Sequence, residues 1–172
     1  ENLIKKLNLE TKKAEFYAQL CEGSLGYALD LASGKWDNLR ELGLKYLEGI
    51  FTCEIGAVAR VTDEILKNYS VPERLQLFKF LLAYLRDVAL AFEKQDQKNL
   101  WNPEAVEKIW KLAHILKTPK QIEKSVSLVE KTKAQFYLNV NPKLALLFLA
   151  LKLRNIYYPN YASISSAQEE NF

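Results

Sequence analysis

Four of the five prolines in this 172-residue chain stand within two residues of a side chain that caps helices. Pro103, Pro119 and Pro142 directly follow Asn102, Thr118 and Asn141, and Pro72 stands in Ser70-Val71-Pro72-Glu73. Proline has no backbone N–H and a fixed φ, so a helix accepts it in its first turn and not in its interior. An Asn, Thr or Ser just upstream supplies the oxygen that an orphaned first-turn N–H needs. Ser70 with Glu73, and Thr118 with Gln121, also have the spacing of the reciprocal capping box. Four helix starts are therefore marked by chemistry, and the chain between them has to be read as helix.

The apolar spacing agrees. Leu75, Phe78, Leu82, Leu85, Val88 and Phe92 form one stripe, and Val106, Ile109, Trp110, Ala113 and Leu116 a second. Ile122, Val126, Val129, Phe136 and Val140 form a third. This spacing is that of amphipathic helices. No stretch alternates as a strand between hairpin turns. The reading is an all-α protein with helices near 2–7, 11–21, 24–32, 36–51, 54–68, 72–94, 103–116, 119–139 and 142–157. A seam falls near Ser33-Gly34-Lys35, with short helices before it and longer ones after it. From Pro159 the sequence turns polar, and 159–172 is expected to be a flexible tail.

Little in the chain suggests chemistry. His114 is the only histidine, so any Ser, Cys or Thr nucleophile has one base at most. Beside Leu112, Ile115 and Leu116 it reads as a helix-end residue. Glu104 and Glu107 share a helix face with Lys108 and Lys111, as on a solvated, salt-bridged surface. Cys21 and Cys53 fit no zinc spacing and read as reduced thiols. No phosphate-cradling GxxxxGK[ST] occurs, and no GxGxxG follows a strand. No catalytic residue, metal ligand or cofactor is expected.

The net charge of +3 is small and interleaved along the chain, without the concentrated basic face of a nucleic-acid binder. The longest apolar run, Leu144 to Leu151, is far shorter than a membrane span of about 20 residues. A cytoplasmic protein with neither nucleic acid nor membrane as direct partner is expected. The chain starts at Glu1 without an initiator methionine, close to helical sequence, as a piece cut from a longer protein would. The apolar run leaves the helix at 142–157 with no polar face for two turns, and a helix apolar all round must be covered all round. Either it is the central core helix, or it divides its surface between its own core and a neighbouring subunit.

Glu22-Gly23-Ser24-Leu25-Gly26-Tyr27-Ala28-Leu29 joins two helices, with Gly23 as the C-terminal glycine of one and Ser24 as the N-cap of the next. Three segments in order, AEFYAQLCEGSLGYALDLA, FLLAYLRDVALAFEKQ and QFYLNVNPKLALLFLALKL, resemble the C-terminal part of the delta-prime family of bacterial DNA polymerase III clamp-loader subunits. The resemblance spans about residues 1 to 158. It implies that 1–34 finish a small helical AAA+ lid, with the corner motif at Gly23, Ser24, Gly26 and Ala28. Residues 35–158 would then form a five- to six-helix collar domain. ATPase members of that family carry the phosphate-contacting sensor-2 arginine where Gly26 stands, so the chain resembles the non-hydrolysing subunit. Gamma- or tau-like ATPase subunits and delta are the implied partners, met through the collar. Asn139, Asn141, Leu144, Leu147, Phe148 and Leu151 are the candidate interface. The rival reading is a free-standing helical adaptor that binds a partner protein in an apolar groove.

Overall fold

The computed structural model describes residues 17–159 apart from Gln19, Glu22, 95–99 and Asn139. Among the described residues the fold is all-α. The helices are α1 (Leu25–Ala32), α2 (Asp37–Phe51), α3 (Ile55–Asn68), α4 (Val71–Lys94), α5 (Val106–Ile115), α6 (Pro119–Phe136) and α7 (Pro142–Tyr157). A 3₁₀ turn, Pro103–Ala105, leads into α5. The helix expected at 2–7 and most of that at 11–21 lie outside the described residues, as does the tail after Pro159. Tyr17, Ala18 and Leu20 are helical.

The capping chemistry is realised unevenly. Asn141 accepts from the N–H groups of Lys143 (3.0 Å) and Leu144 (3.2 Å). Ser24 accepts from Tyr27 N–H at 3.3 Å. Gln121 Oε1 accepts from the N–H groups of Lys117 and Thr118, at 2.7 and 3.1 Å. At Ser70 one half of the box forms, with Glu73 Oε2 accepting from Ser70 N–H at 2.8 Å. The Ser70 hydroxyl donates to the same carboxylate at 2.6 Å instead of accepting from the first turn.

Asn102 makes no side-chain cap at all. Its amide is drawn into a buried polar cluster instead. Asn102 Nδ2 donates to Asp87 Oδ2 (2.7 Å) and its Oδ1 accepts from Arg40 Nη2 (3.2 Å). Asp87, fully buried, also accepts from the N–H groups of Trp101 and Asn102, both at 2.9 Å, and from Arg86 Nη1 at 2.9 Å. Arg40 continues to Glu104 and, at 3.6 Å, to Asp37. A carboxylate can be kept in an apolar interior only when its lone pairs are taken up like this. The cluster ties the residues before α5 to α2 and α4, and the helix expected from 103 begins as a 3₁₀ turn.

α4 is the element on which the others assemble. Leu77, Phe78, Phe80, Leu81, Tyr84, Leu85 and Val88 are all buried, well beyond a single stripe. α2, α5 and α6 pack on it, and α7 closes the bundle against α2, α3 and α6. The central position thus belongs to α4 and not to α7. Connections of two to five residues join α2 to α3, α3 to α4, α5 to α6 and α6 to α7; links this short are those of neighbouring helices in bundles. At the expected seam Gly34 takes φ +79° in a four-residue turn between α1 and α2. Tyr17, Leu20, Leu31 and Trp36 belong to the same apolar cluster as the later helices.

α6 ends at Phe136, short of the expected 139. Pro142 disfavours the helical conformation for Asn141, and Asn141 is held at ψ 113°. The chain therefore leaves α6 early and turns over Tyr137–Asn141. Val140, expected in the core stripe, is exposed as a result.

Candidate interaction surface on α7

α7 has two different sides. Ala145, Leu146, Leu149, Ala150, Leu153 and Tyr157 are buried. Leu144 and Phe148, one turn apart, are each 61% exposed. Leu151 is exposed too, and Leu147 lies half-buried between the two sides. Three apolar residues of the preceding turn are exposed as well: Tyr137, Leu138 (75% exposed) and Val140. The helix is therefore not covered all round, and an uncovered apolar stretch of this kind marks a contact site more often than chance.

The first side of the patch slopes into a groove between α6 and α7 of about 320 Å³. Leu128, Thr132 and Gln135 of α6 face Leu144, Phe148 and Leu149 of α7 across it, with Val140 at one end. Lys131 and Lys152 also line it, and Lys152 Nζ lies 5.1 Å from the centroid of the Phe148 ring. Such a cation over a ring covers one face of the phenyl and leaves the rest to water.

Of the candidate interface residues, Leu144, Phe148 and Leu151 share this surface, and Leu147 borders it. Asn141 is exposed and its amide oxygen is spent on capping α7. Asn139 lies outside the described residues. Tyr137, Leu138 and Val140 escape a sequence reading because the apolar pattern assigns them to α6 or its core stripe. Asn141-Pro142 is the signal that α6 has to end sooner.

At the corner motif Gly23 has φ +85°, the left-handed region open to glycine. Ala28 is buried, whereas Ser24 and Gly26 are exposed. A Cβ built on Gly26 meets nothing within 4 Å. Space for a longer side chain exists there, and none is supplied. The Leu85-Arg86-Asp87 stretch, which carries part of the resemblance, serves the packing of the bundle. Asp87 organises the polar cluster described above, and the Arg86 guanidinium stacks 3.8 Å from the Trp101 ring centroid.

His114 is exposed, and its Nδ1 is 2.7 Å from the Trp110 carbonyl oxygen one turn earlier. Cys21 and Cys53 are both free thiols. Among the described residues no group of three or more His, Cys, Asp or Glu is placed to hold a metal ion, and no helix is long and apolar enough to cross a membrane. Compared with protein-family models, with curated proteins and with solved structures, the chain finds no match in any of the three.

Proposed function

We propose that the chain is the lid-and-collar part of a delta-prime-like clamp-loader subunit, a cytoplasmic assembly module of DNA replication without chemistry of its own. In this reading α2–α7 form the collar. The observation that carries it is the exposed apolar side of α7, Leu144, Phe148 and Leu151, with Tyr137, Leu138 and Val140 exposed in the turn before it. Permanent subunit interfaces are large and apolar, and this surface lies within the third segment of the resemblance. Gly26 adds to it, because an exposed glycine at the sensor-2 position gives no charge to a nucleotide phosphate. The partners are then ATPase subunits of the gamma or tau type and delta.

The test is co-migration of the chain with the collar parts of its own organism's clamp-loader subunits on size-exclusion chromatography. A joint peak that Phe148→Glu abolishes supports the proposal. A folded chain that stays monomeric beside those partners ends it.

The groove between α6 and α7 favours a second reading, a free-standing helical adaptor that accepts a partner's apolar side chains there. Under it Leu128→Glu abolishes partner binding as strongly as Phe148→Glu. Under the collar reading the α7 substitutions dominate.

A further inference from the structure

α7 carries no acidic residue from Pro142 to Tyr157, and α6 has only Glu123 and Glu130, of which Glu130 faces Lys133 at 3.8 Å. No acid stands three or four residues from Lys124, Lys131 or Lys152, where a helix would place an ion-pair partner. Lys120 and Lys124 repeat the same charge at i,i+4, an arrangement that weakens a helix standing alone. The two helices thus bring cations to their seam and almost nothing to neutralise them.

These lysines meet in one cleft. Beyond the apolar groove the α6–α7 seam widens to about 840 Å³, with Lys120, Lys124, Lys131 and Lys152 in its walls against the single carboxylate of Glu123. All four lysines are exposed, and none forms an ion pair among the described residues. By contrast Lys35, Lys45, Lys108 and Lys143 each lie 2.6 to 2.9 Å from a carboxylate. Four unmatched ammonium groups along one cleft make a region of positive potential, and low-dielectric walls strengthen it. Half-buried Leu128 and Ile156 supply such walls.

The shape and chemistry of the seam select its occupant. Leu128, Lys131 and Lys152 line both the cleft and the apolar groove, so the two are continuous. From Lys120 to Gln135 the seam runs about 22 Å at helical rise, the span of about seven extended residues. One half of it asks for negative charge, and the other, beside Leu144 and Phe148, for apolar side chains. A nucleic-acid strand answers only the first demand. The wide cleft has no aromatic ring and no arginine in its walls on which bases could stack.

We infer that the α6–α7 seam is the docking site for a short acidic segment of a partner protein. Its carboxylates lie over the lysine row, and one or two apolar side chains rest on Leu128 and in the groove beside Phe148. This goes beyond the collar reading, which uses none of the lysines, and gives the adaptor reading a ligand chemistry. The test uses the chain by itself, so its result is separate from co-migration with clamp-loader subunits.

The probe is a displayed library of random short peptides, selected on the immobilised full chain. The selected peptides should combine Asp or Glu with a large apolar residue, and binding of the best one, made synthetically, should weaken with added salt. Lys124→Glu/Lys131→Glu should weaken it about tenfold or more, whereas Lys124→Arg/Lys131→Arg, which keeps the charge, should preserve it. Lys67→Glu/Lys111→Glu makes the same change of net charge at exposed positions outside the seam and should leave affinity within about twofold. Circular dichroism melts show that each variant is folded. Selection of peptides without acidic residues, or of none at all, overturns the proposal. So does equal weakening by the two reversals, which would assign binding to net charge alone. Displacement of the peptide by a random-sequence DNA oligonucleotide that binds more tightly than the peptide would make the seam a nucleic-acid site instead.

Discussion

Cys53 is the one non-glycine residue with positive φ among the described residues, at +61°. It follows the C-cap of α2. Glu54 N–H donates back to Gly49 O (2.8 Å) and Cys53 N–H to Ile50 O (3.2 Å), which is the Schellman pattern with cysteine where glycine is favoured. A Cβ in the left-handed region costs about 1 kcal/mol. Cys53→Gly should therefore stabilise the chain by about 0.5–1 kcal/mol, read as a higher urea midpoint; an unchanged or lower midpoint removes the strain account. Two helical glycines make the opposite pair. A Cβ on Gly49 would come within 2.9 Å of Val58 Cγ2, on a fully buried residue, and a β-branched side chain in a helix cannot rotate away. Gly49→Ala should lose about 1 kcal/mol or more, whereas Gly26→Ala, in open space, should gain about 0.5–1 kcal/mol. Neither difference is visible in the sequence, where all three positions read as ordinary helix ends or small residues. What sequence does reveal at this scale is local chemistry: Gly23, Ser24 and Asn141 act as their neighbours dictate, while Asn102 does not, because its partners Asp87 and Arg40 lie far away along the chain.

Among the helices, most bounds fall within one residue of the expected ones, and the exceptions, the start of α5 and the end of α6, have local causes. Pro119 and Pro142 begin α6 and α7 as the capping residues require, and α1 to α4 fall within one residue of the periodic pattern. α6 stops three residues before that pattern does, and Val140 leaves the core with it. The central helix is harder still to foresee. α7 has the denser apolar sequence, yet α4 is the more enclosed, since α2, α5 and α6 all pack on it and Asp87 is itself buried within the cluster. Hydrophobic density states how much surface wants cover and not which element receives it. For α7 the two sides make a direct prediction. Leu149→Asp places an unpaired charge in the core, at a cost of about 4 kcal/mol or more, so it should unfold the chain. Leu144→Glu sits on the exposed side and should shift the melting transition by no more than about 0.5 kcal/mol equivalent. Circular dichroism melts of the two variants suffice, and similar loss in both would mean that Leu144 is covered within the chain itself.

The whole bundle is cross-tied by phenols. Tyr46 of α2 donates to the Leu146 carbonyl of α7 (2.5 Å), and Tyr84 of α4 donates to the Arg40 carbonyl of α2 (3.1 Å). Tyr157 of α7 shares a hydrogen bond of 2.6 Å with Ser125 of α6. Tyr158 adds a bond to the Phe51 carbonyl (2.6 Å), so both tyrosines at the end of α7 hold other helices. Nothing in the local sequence marks these tyrosines, because a buried phenol is identified by a partner that only the fold brings near. Desolvation raises the pKa of the three buried phenols that tie helices together, Tyr157 to about 12 and Tyr46 and Tyr84 further in the same direction. In the unfolded chain each titrates near the usual value of about 10. A folded pKa above the unfolded one gives stability that is fully present below about pH 10 and is lost as pH rises toward the folded values. Above about pH 10 the unfolding free energy should thus fall by up to about 1.4 kcal/mol per pH unit for each of the three phenols, and flat behaviour should hold from there down through neutrality as far as these groups are concerned. Urea titrations at stepped alkaline pH, with phenolate absorbance followed in parallel, measure both parts. Tyr46→Phe should cost about 1 kcal/mol near neutrality through the lost hydrogen bond and should make the alkaline decline shallower by one phenol's share. A decline as steep in Tyr46→Phe as in the parent would assign the alkaline loss to groups other than this helix tie.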